Sequence, residues 1–290
     1  MPTSLDLITK PGKRLGTNTN KMAFNRRVAN KSESLILQLK EGLFDWILMS
    51  PTSKAAIYWL IVIAGSFIHD FLPLPQSYFS NKKNVLNVYF VKLGWGWTLA
   101  LLVPFISFTS FIYTSCNVAA MLRHLSRLIV ATFGWYILVN LFSHIEELTG
   151  VCEGEESITS KRSCYLQGYL WAGFDISGHA FLLVYSALII SEEIQVKQWL
   201  SVTTIARNVS EPHRRLNIFV CRLTDFFFVG SSILLLLWEF MLVCTAMYFH
   251  PVQEKVIGAM VALFTWHITY KVWYKNELSP GVPWQPPKRL

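Results

Sequence analysis

The chain is 290 residues long, 52% of it hydrophobic and only 15% charged, against about 25% charged in an ordinary soluble domain. That balance argues against a soluble globule and excludes a disordered or fibrous chain. A net charge of +8 would suit nucleic acid only if the basic residues gathered on one polar face, so their placement decides.

Residues 1–33 are polar and basic without the apolar run of a secretory leader, and read as a disordered cytosolic arm. Over 34–50, Leu35, Ile36, Leu39, Leu43, Trp46 and Ile47 recur at near-helical spacing. This predicts an amphipathic helix that lies on the membrane surface or packs on its neighbours. Six apolar stretches then fill 51–275, and residues 276–290 form a tail. The expected fold is all-α, a polytopic bundle of six transmembrane helices. Leu93–Tyr113 is the clearest span because it holds no charge and, at ~1.5 Å per residue, crosses a ~30 Å hydrocarbon core. Pro104 within it removes a backbone donor and predicts a kink. The others are Ala55–Leu72, Leu128–Phe142, Ile176–Ile190, Phe226–Phe249 and Val256–Tyr270. Several reach only about 15 residues against the usual ~17–25, so polar flanks must snorkel.

Six spans put both termini on one side. That side carries the arm, Lys54, Arg123 and Arg127, the loop from Lys197 to Arg222, and the tail, together twenty of the 26 basic residues. Lys82, Lys83, Lys92, Lys161, Arg162 and Lys255 remain opposite. The positive-inside rule makes the first side cytosolic, so the basic charge reports topology and no nucleic-acid partner is expected. Cys152 and Cys164 share a loop on the other side, where an oxidising lumen favours a disulfide between them. The glycosylation patterns at Asn30 and Asn208 fall on the cytosolic side and are expected to be unused.

The informative polar residues lie near the lumenal ends. His179 opens the fourth span within Phe174-Asp175-Ile176-Ser177-Gly178-His179, and His250 follows the fifth, so two imidazoles from different helices share one depth. Such a pair suits phosphoryl transfer, one ring as nucleophile and one as proton donor. Ser177 and Gly178 at a helix start favour an anion. Lys82, Lys83 and Lys255 are candidate phosphate partners, and Glu254, four residues after His250, could orient its ring. His69 with Asp70, and His144, are reserve candidates, while His267 reads as an interhelical hydrogen-bonding residue. Glu239 lies mid-span, where a charge costs on the order of 2.5–3.5 kcal/mol, and must face the bundle interior, protonated or paired.

The run Leu72-Pro73-Leu74-Pro75-Gln76-Ser77-Tyr78-Phe79-Ser80-Asn81-Lys82-Lys83-Asn84-Val85-Leu86-Asn87-Val88-Tyr89-Phe90-Val91-Lys92 resembles the fat storage-inducing transmembrane (FIT) family. So do Phe174–Leu183 with the following Glu192-Glu193 pair, Leu242–His250, and Ser279-Pro280-Gly281. The resemblance implies a six-span endoplasmic-reticulum protein active in lipid-droplet formation and triacylglycerol storage, related to the lipid phosphate phosphatases. It implies cleavage of the diphosphate of fatty acyl-CoA to acyl 4'-phosphopantetheine and adenosine 3',5'-bisphosphate. By the same resemblance His179 is the general acid and His250 the nucleophile, with no cofactor or metal required. The phosphatases' Lys-x6-Arg-Pro motif is missing, no Ser-Arg pair stands seven residues before His250, and Glu254 replaces an Asp. Ser177, Gly178, Lys82, Lys83 and Glu254 are therefore the candidate substrate contacts.

The acyl chain is expected among the spans, along Phe181, Leu182 and Leu183 below His179. Two alternatives keep the same membrane setting: a non-enzymatic protein that binds diacylglycerol or triacylglycerol and partitions it into droplets, and a phosphatase of phosphatidate or lysophosphatidate.

Overall fold

The computed structural model describes residues 37–72, 74–114, 117–155, 157–198 and 211–283. The chain divides into two units, Met1–Trp46 and Ile47–Leu290. Helix α1 covers 37–47; Leu35, Ile36, the basic arm, Asn30 and Asn208 lie outside the described residues.

In the second unit, Ser50 accepts from the Ser53 amide at 3.1 Å, and Pro51 supplies a fixed φ at the first position of α2, Pro51–Phe71. A connector with two short turns, Tyr78–Ser80 and Leu86–Val91, leads to α3, Gly94–Tyr113. Then follow α4 (Val118–Thr149), β1 (Val151–Glu153), α5 (Lys161–Leu166), β2 (Leu170–Ala172), α6 (Gly178–Glu193), α7 (Glu211–Tyr248) and α8 (Val252–Trp266). Among the described residues, six stretches are long and apolar enough to cross a membrane: Pro51–Phe71, Gly94–Ile112, Val118–Thr149, Gly178–Gln198, Ile218–Tyr248 and Val252–Lys275.

The spans expected to be short are not short. The third runs for 32 residues, the fourth for 21 and the sixth for 24, because these helices continue through their charged flanks. Arg127, read from sequence as a loop charge, is fully buried in α4, where its Nε and Nη2 each donate to Glu193 at 2.8 Å. Lys54, read from sequence as a cytosolic flanking charge, is fully buried in α2 and lies 2.5 Å from Glu239 Oε1, which also accepts from Tyr58 at 2.6 Å. Glu239 is thus paired inside the bundle. Burying one member of such a pair alone would cost several kcal/mol, so each helix supplies its neighbour's counter-charge.

Helix α6 is the axis. Its sequence is apolar on every face, and a helix of that kind is stable only when surrounded; every residue from Ala180 to Glu193 is buried. Neighbours approach it closely. A Cβ added at Gly258 of α8 would stand 2.5 Å from the Ser177 carbonyl, and one at Gly94 would stand 3.0 Å from Leu182 Cδ2. Trp95 of α3 stacks on Tyr185 of α6, with centroids 5.7 Å apart. At the far end of α6, Glu192 accepts from Lys271 at 2.5 Å and from Trp266 at 3.1 Å, beside the Arg127–Glu193 pair. His267, expected between helices, is instead exposed and edge-on to Trp266.

Between α4 and α6, β1 and β2 pair antiparallel with Cys152 opposite Trp171, and Cys152 is bonded to Cys164. Trp171 donates to the Glu146 carbonyl at 3.2 Å, and Lys161 pairs with the Glu146 carboxylate at 2.6 Å, so this hairpin is tied to the end of α4.

Candidate active site

The site forms where α6 begins and α7 turns into α8. Ser177 caps α6, its Oγ accepting from the Ala180 amide at 3.3 Å, and its own amide donates to the Glu254 carbonyl at 3.1 Å. The capping of one helix is thereby joined to the first turn of another. Gly178 follows with nothing within 4 Å of where a Cβ would be, which leaves open space in front of the α6 amides. His179 is half-buried on the first turn.

His250 adopts φ +57°, the left-handed region, between the end of α7 and Pro251. Pro251 cannot extend α7, so the helix ends here, and a following proline biases His250 toward extended backbone without favouring a positive φ. A non-glycine residue there costs on the order of 1–3 kcal/mol and persists only where its surroundings hold it. Here they do. Glu254, in the first turn of α8, lies 2.6 Å from His250 Nδ1, and the Asp175 carboxylate is 3.9 Å from the same nitrogen. The Asp70 carboxylate, paired with His69 at 2.6 Å, accepts from the Val252 amide at 3.4 Å. Lys255 Nζ donates to the Ala246 carbonyl at 2.8 Å, and this fully buried ammonium closes the end of α7. It is therefore a helix-end contact, in contrast to the loop phosphate ligand read from sequence.

His179 and His250 are electrostatic neighbours, and the other charges that reach His179 are those of Lys92 and Lys82. Of the sequence candidates, His179, His250, Ser177, Gly178, Glu254 and Lys82 thus converge at one end of the bundle. Lys83 is exposed in the same connector, its amide on Asn81 Oδ1 at 2.8 Å. Glu254 is on an imidazole nitrogen. Phe181, Leu182 and Leu183 do not flank an open channel. All three are buried in the protein core, Phe181 edge-on to Phe142 and stacked on Tyr185, so the acyl chain expected along them has no room there.

Two participants were missed. Asp175 stood in the quoted motif without a role, because only the fold returns the chain before α6 to the α7–α8 turn. Lys92 enters the sequence reading through topology alone, although its position immediately before the Leu93–Tyr113 span is a usable signal. Asp175, His250 and Glu254 offer donor atoms within 4.8 Å of one another, a set able to share a cation; the direct imidazole–carboxylate contact satisfies Nδ1 without one.

The fold and this cluster define a multi-pass membrane protein with a carboxylate-supported histidine pair at one end of its bundle. The Fat storage-inducing transmembrane protein (FIT) family matches residues 75–148 and 140–270. The chain is 44% identical over 231 residues to "Acyl-coenzyme A diphosphatase FITM2" of Xenopus laevis, covering 77% of this chain and 83% of that one. It is 40% identical over 253 residues to the Homo sapiens protein of the same name (82% and 92%), and 37% identical over 262 residues to the Drosophila melanogaster one (82% and 62%). No solved structure matches. The chain belongs to the FIT family.

Proposed function

We propose that the protein is an acyl-CoA diphosphatase of the endoplasmic-reticulum membrane. It hydrolyses fatty acyl-CoA to acyl 4'-phosphopantetheine and adenosine 3',5'-bisphosphate in support of lipid-droplet formation and triacylglycerol storage. The observation that carries this reading is the geometry around His250. A carboxylate 2.6 Å from Nδ1 fixes the ring and leaves Nε2 as the nucleophilic nitrogen, beside a second imidazole. The relatives' printed activity supplies the substrate class.

In this mechanism His250 Nε2 attacks one phosphorus of the diphosphate. The N–P bond forms as the bridging P–O bond breaks, and the proton on His179 passes to the departing phosphate oxygen. Glu254 stabilises the imidazolium as it develops. Water then attacks the phosphorus of the phosphohistidine, giving its proton to His179, and the N–P bond breaks to restore both rings. Ser177, Gly178, Lys82 and Lys83 surround the anion. Both termini are cytosolic and the site is lumenal, by the excess of basic residues on the terminal side.

Purified full-length protein should release adenosine 3',5'-bisphosphate from oleoyl-CoA. His250→Ala should remove turnover, and His179→Ala should lower it by about 10²–10⁴-fold. Wild-type turnover in both variants would overturn the assignment. Neutral-lipid binding that persists, with droplet formation rescued, in the double-histidine variant would favour the partitioning reading; faster turnover of phosphatidate than of oleoyl-CoA would favour the phosphatase one.

A further inference from the structure

The Lys-x6-Arg-Pro and Ser-Arg motifs that the resemblance to lipid phosphate phosphatases would imply are missing from this sequence, so a diphosphate at the histidine pair needs cations from elsewhere. Acyl-CoA makes the need acute, because the diphosphate and the 3'-phosphate together carry about four negative charges. Most buried or half-buried cations are occupied. Lys54, Arg127, Lys161, Lys197 and Lys271 each meet a carboxylate, and Lys255 holds a carbonyl. Lys82 and Lys92 are exposed and, among the described residues, form no ion pair.

The connector that carries them is a built element. Asn84 and Asn87 are both buried, at 3% and 5% exposure, in a segment whose other described residues, Val91 apart, are half-buried or exposed. The Asn84 amide group donates to the Asn81 carbonyl at 2.9 Å, and Asn84 Oδ1 accepts from the Asn87 amide at 2.7 Å. Asn87 Nδ2 in turn donates to the Lys82 carbonyl at 2.8 Å. Asn84 thus spends its donor and its acceptor on backbone and Asn87 its donor, which fixes the chain on both sides of Lys82. Leu86–Val91 then makes a wide π turn, closed by the Lys92 amide on the Asn87 carbonyl at 3.1 Å. The Asn87 side chain therefore anchors Lys82, and the backbone of the same residue closes the turn that ends at Lys92.

The level of Lys92 is set by packing. Two residues on, Gly94 touches Leu182, which lies three residues, about 4.5 Å, along α6 from His179. The connector is held from outside as well. Phe79 meets Phe240 of α7 edge-on with centroids 5.1 Å apart, and Trp97 of α3 donates to the Tyr89 carbonyl at 2.9 Å.

We propose that the connector between α2 and α3 is the anion-binding element of the site, with Lys92 and Lys82 holding the diphosphate and nucleotide end of the substrate and the Asn87 side chain positioning Lys82. This rests on the diphosphatase reading and names its phosphate ligands. It also gives the missing motifs a substitute: two lysine point charges on a rigid asparagine-laced loop, in place of arginines on helices.

The test is direct binding, independent of turnover. Full-length protein in lipid nanodiscs is titrated with adenosine 3',5'-bisphosphate and with inorganic pyrophosphate. Lys92→Gln should weaken both by about tenfold or more, the scale of a charge-assisted contact, and Lys82→Gln should do the same. Lys92→Arg should stay within about threefold, since the charge is kept. Asn87→Ala, with both lysines intact, should weaken binding while Lys92→Arg does not. Arg162→Gln removes an exposed charge from the neighbouring α5 segment and is expected to change binding by less than about twofold. Unchanged binding in Lys92→Gln, or an equal loss in Arg162→Gln, overturns the proposal. Failure of wild-type protein to cleave oleoyl-CoA while Lys92→Gln still loses pyrophosphate would instead defeat the diphosphatase reading and leave the anion site standing.

Discussion

The two ends of helix α6 treat charge in opposite ways. At Glu192 and Glu193 each carboxylate has a cation and an aromatic donor from a different helix, and Arg127 and Glu193 are both completely buried. At Ser177–His179 the ring is half-buried, no atom lies within 4 Å of where a Gly178 Cβ would be, and two nearby lysines form no ion pair among the described residues. Satisfied polar groups fix a structure and have little left for a ligand. The unsatisfied end is where a substrate gains by binding. One helix thus has an anchored end and an end that we propose to be reactive, and the first holds the second in place.

Mutations should separate the two. The largest effect is expected at the anchored end: Arg127→Ala leaves Glu193 buried without its main partner and should cost about 3–5 kcal/mol of stability. Thermal unfolding in detergent measures this, and the folded fraction should keep its turnover. At the reactive end the effects reverse. Glu254→Gln should lower kcat on the order of 10²-fold, because the ring loses its orienting carboxylate, while the unfolding temperature hardly moves. Lys54→Leu should destabilise by about 3 kcal/mol, and Lys54→Leu combined with Glu239→Leu should recover most of that, since an apolar pair replaces a buried ionic one. A double variant no more stable than the single would mean that Glu239 has a role beyond pairing. Lys161→Ala, at the half-exposed pair with Glu146, should cost less than about 1 kcal/mol.

The spans were legible because hydropathy over about twenty residues is a local property, and Leu93–Tyr113 was found almost to the residue. Their ends were not. Arg127, Lys54 and Lys255 stop an apolar window wherever they occur, and only partners distant in sequence, Glu193, Glu239 and the Ala246 carbonyl, let a helix carry them inside. The same limit shaped the reading of the site. His179 and His250 could be matched by depth from span boundaries alone, and Glu254 by its four-residue spacing. Asp175 and Lys92 reach the site through the return of two connectors, which no spacing rule encodes. Phe181–Leu183 failed differently: an apolar run below a histidine reads as an acyl channel or as core, and only the packing of Phe142, Tyr185 and Gly94 decides for core.

The central claim is that the reactive end performs covalent phosphoryl transfer at His250. The direct measurement is an alkaline quench of full-length protein during turnover of oleoyl-CoA labelled in its diphosphate, followed by mass spectrometry of the peptide containing His250. The account predicts a phosphorus-linked adduct on His250 that accumulates when His179 is replaced by alanine if water attack is slowed more than formation, and that is absent in His250→Ala together with turnover. Full turnover by His250→Ala, or an adduct on another residue, would contradict it.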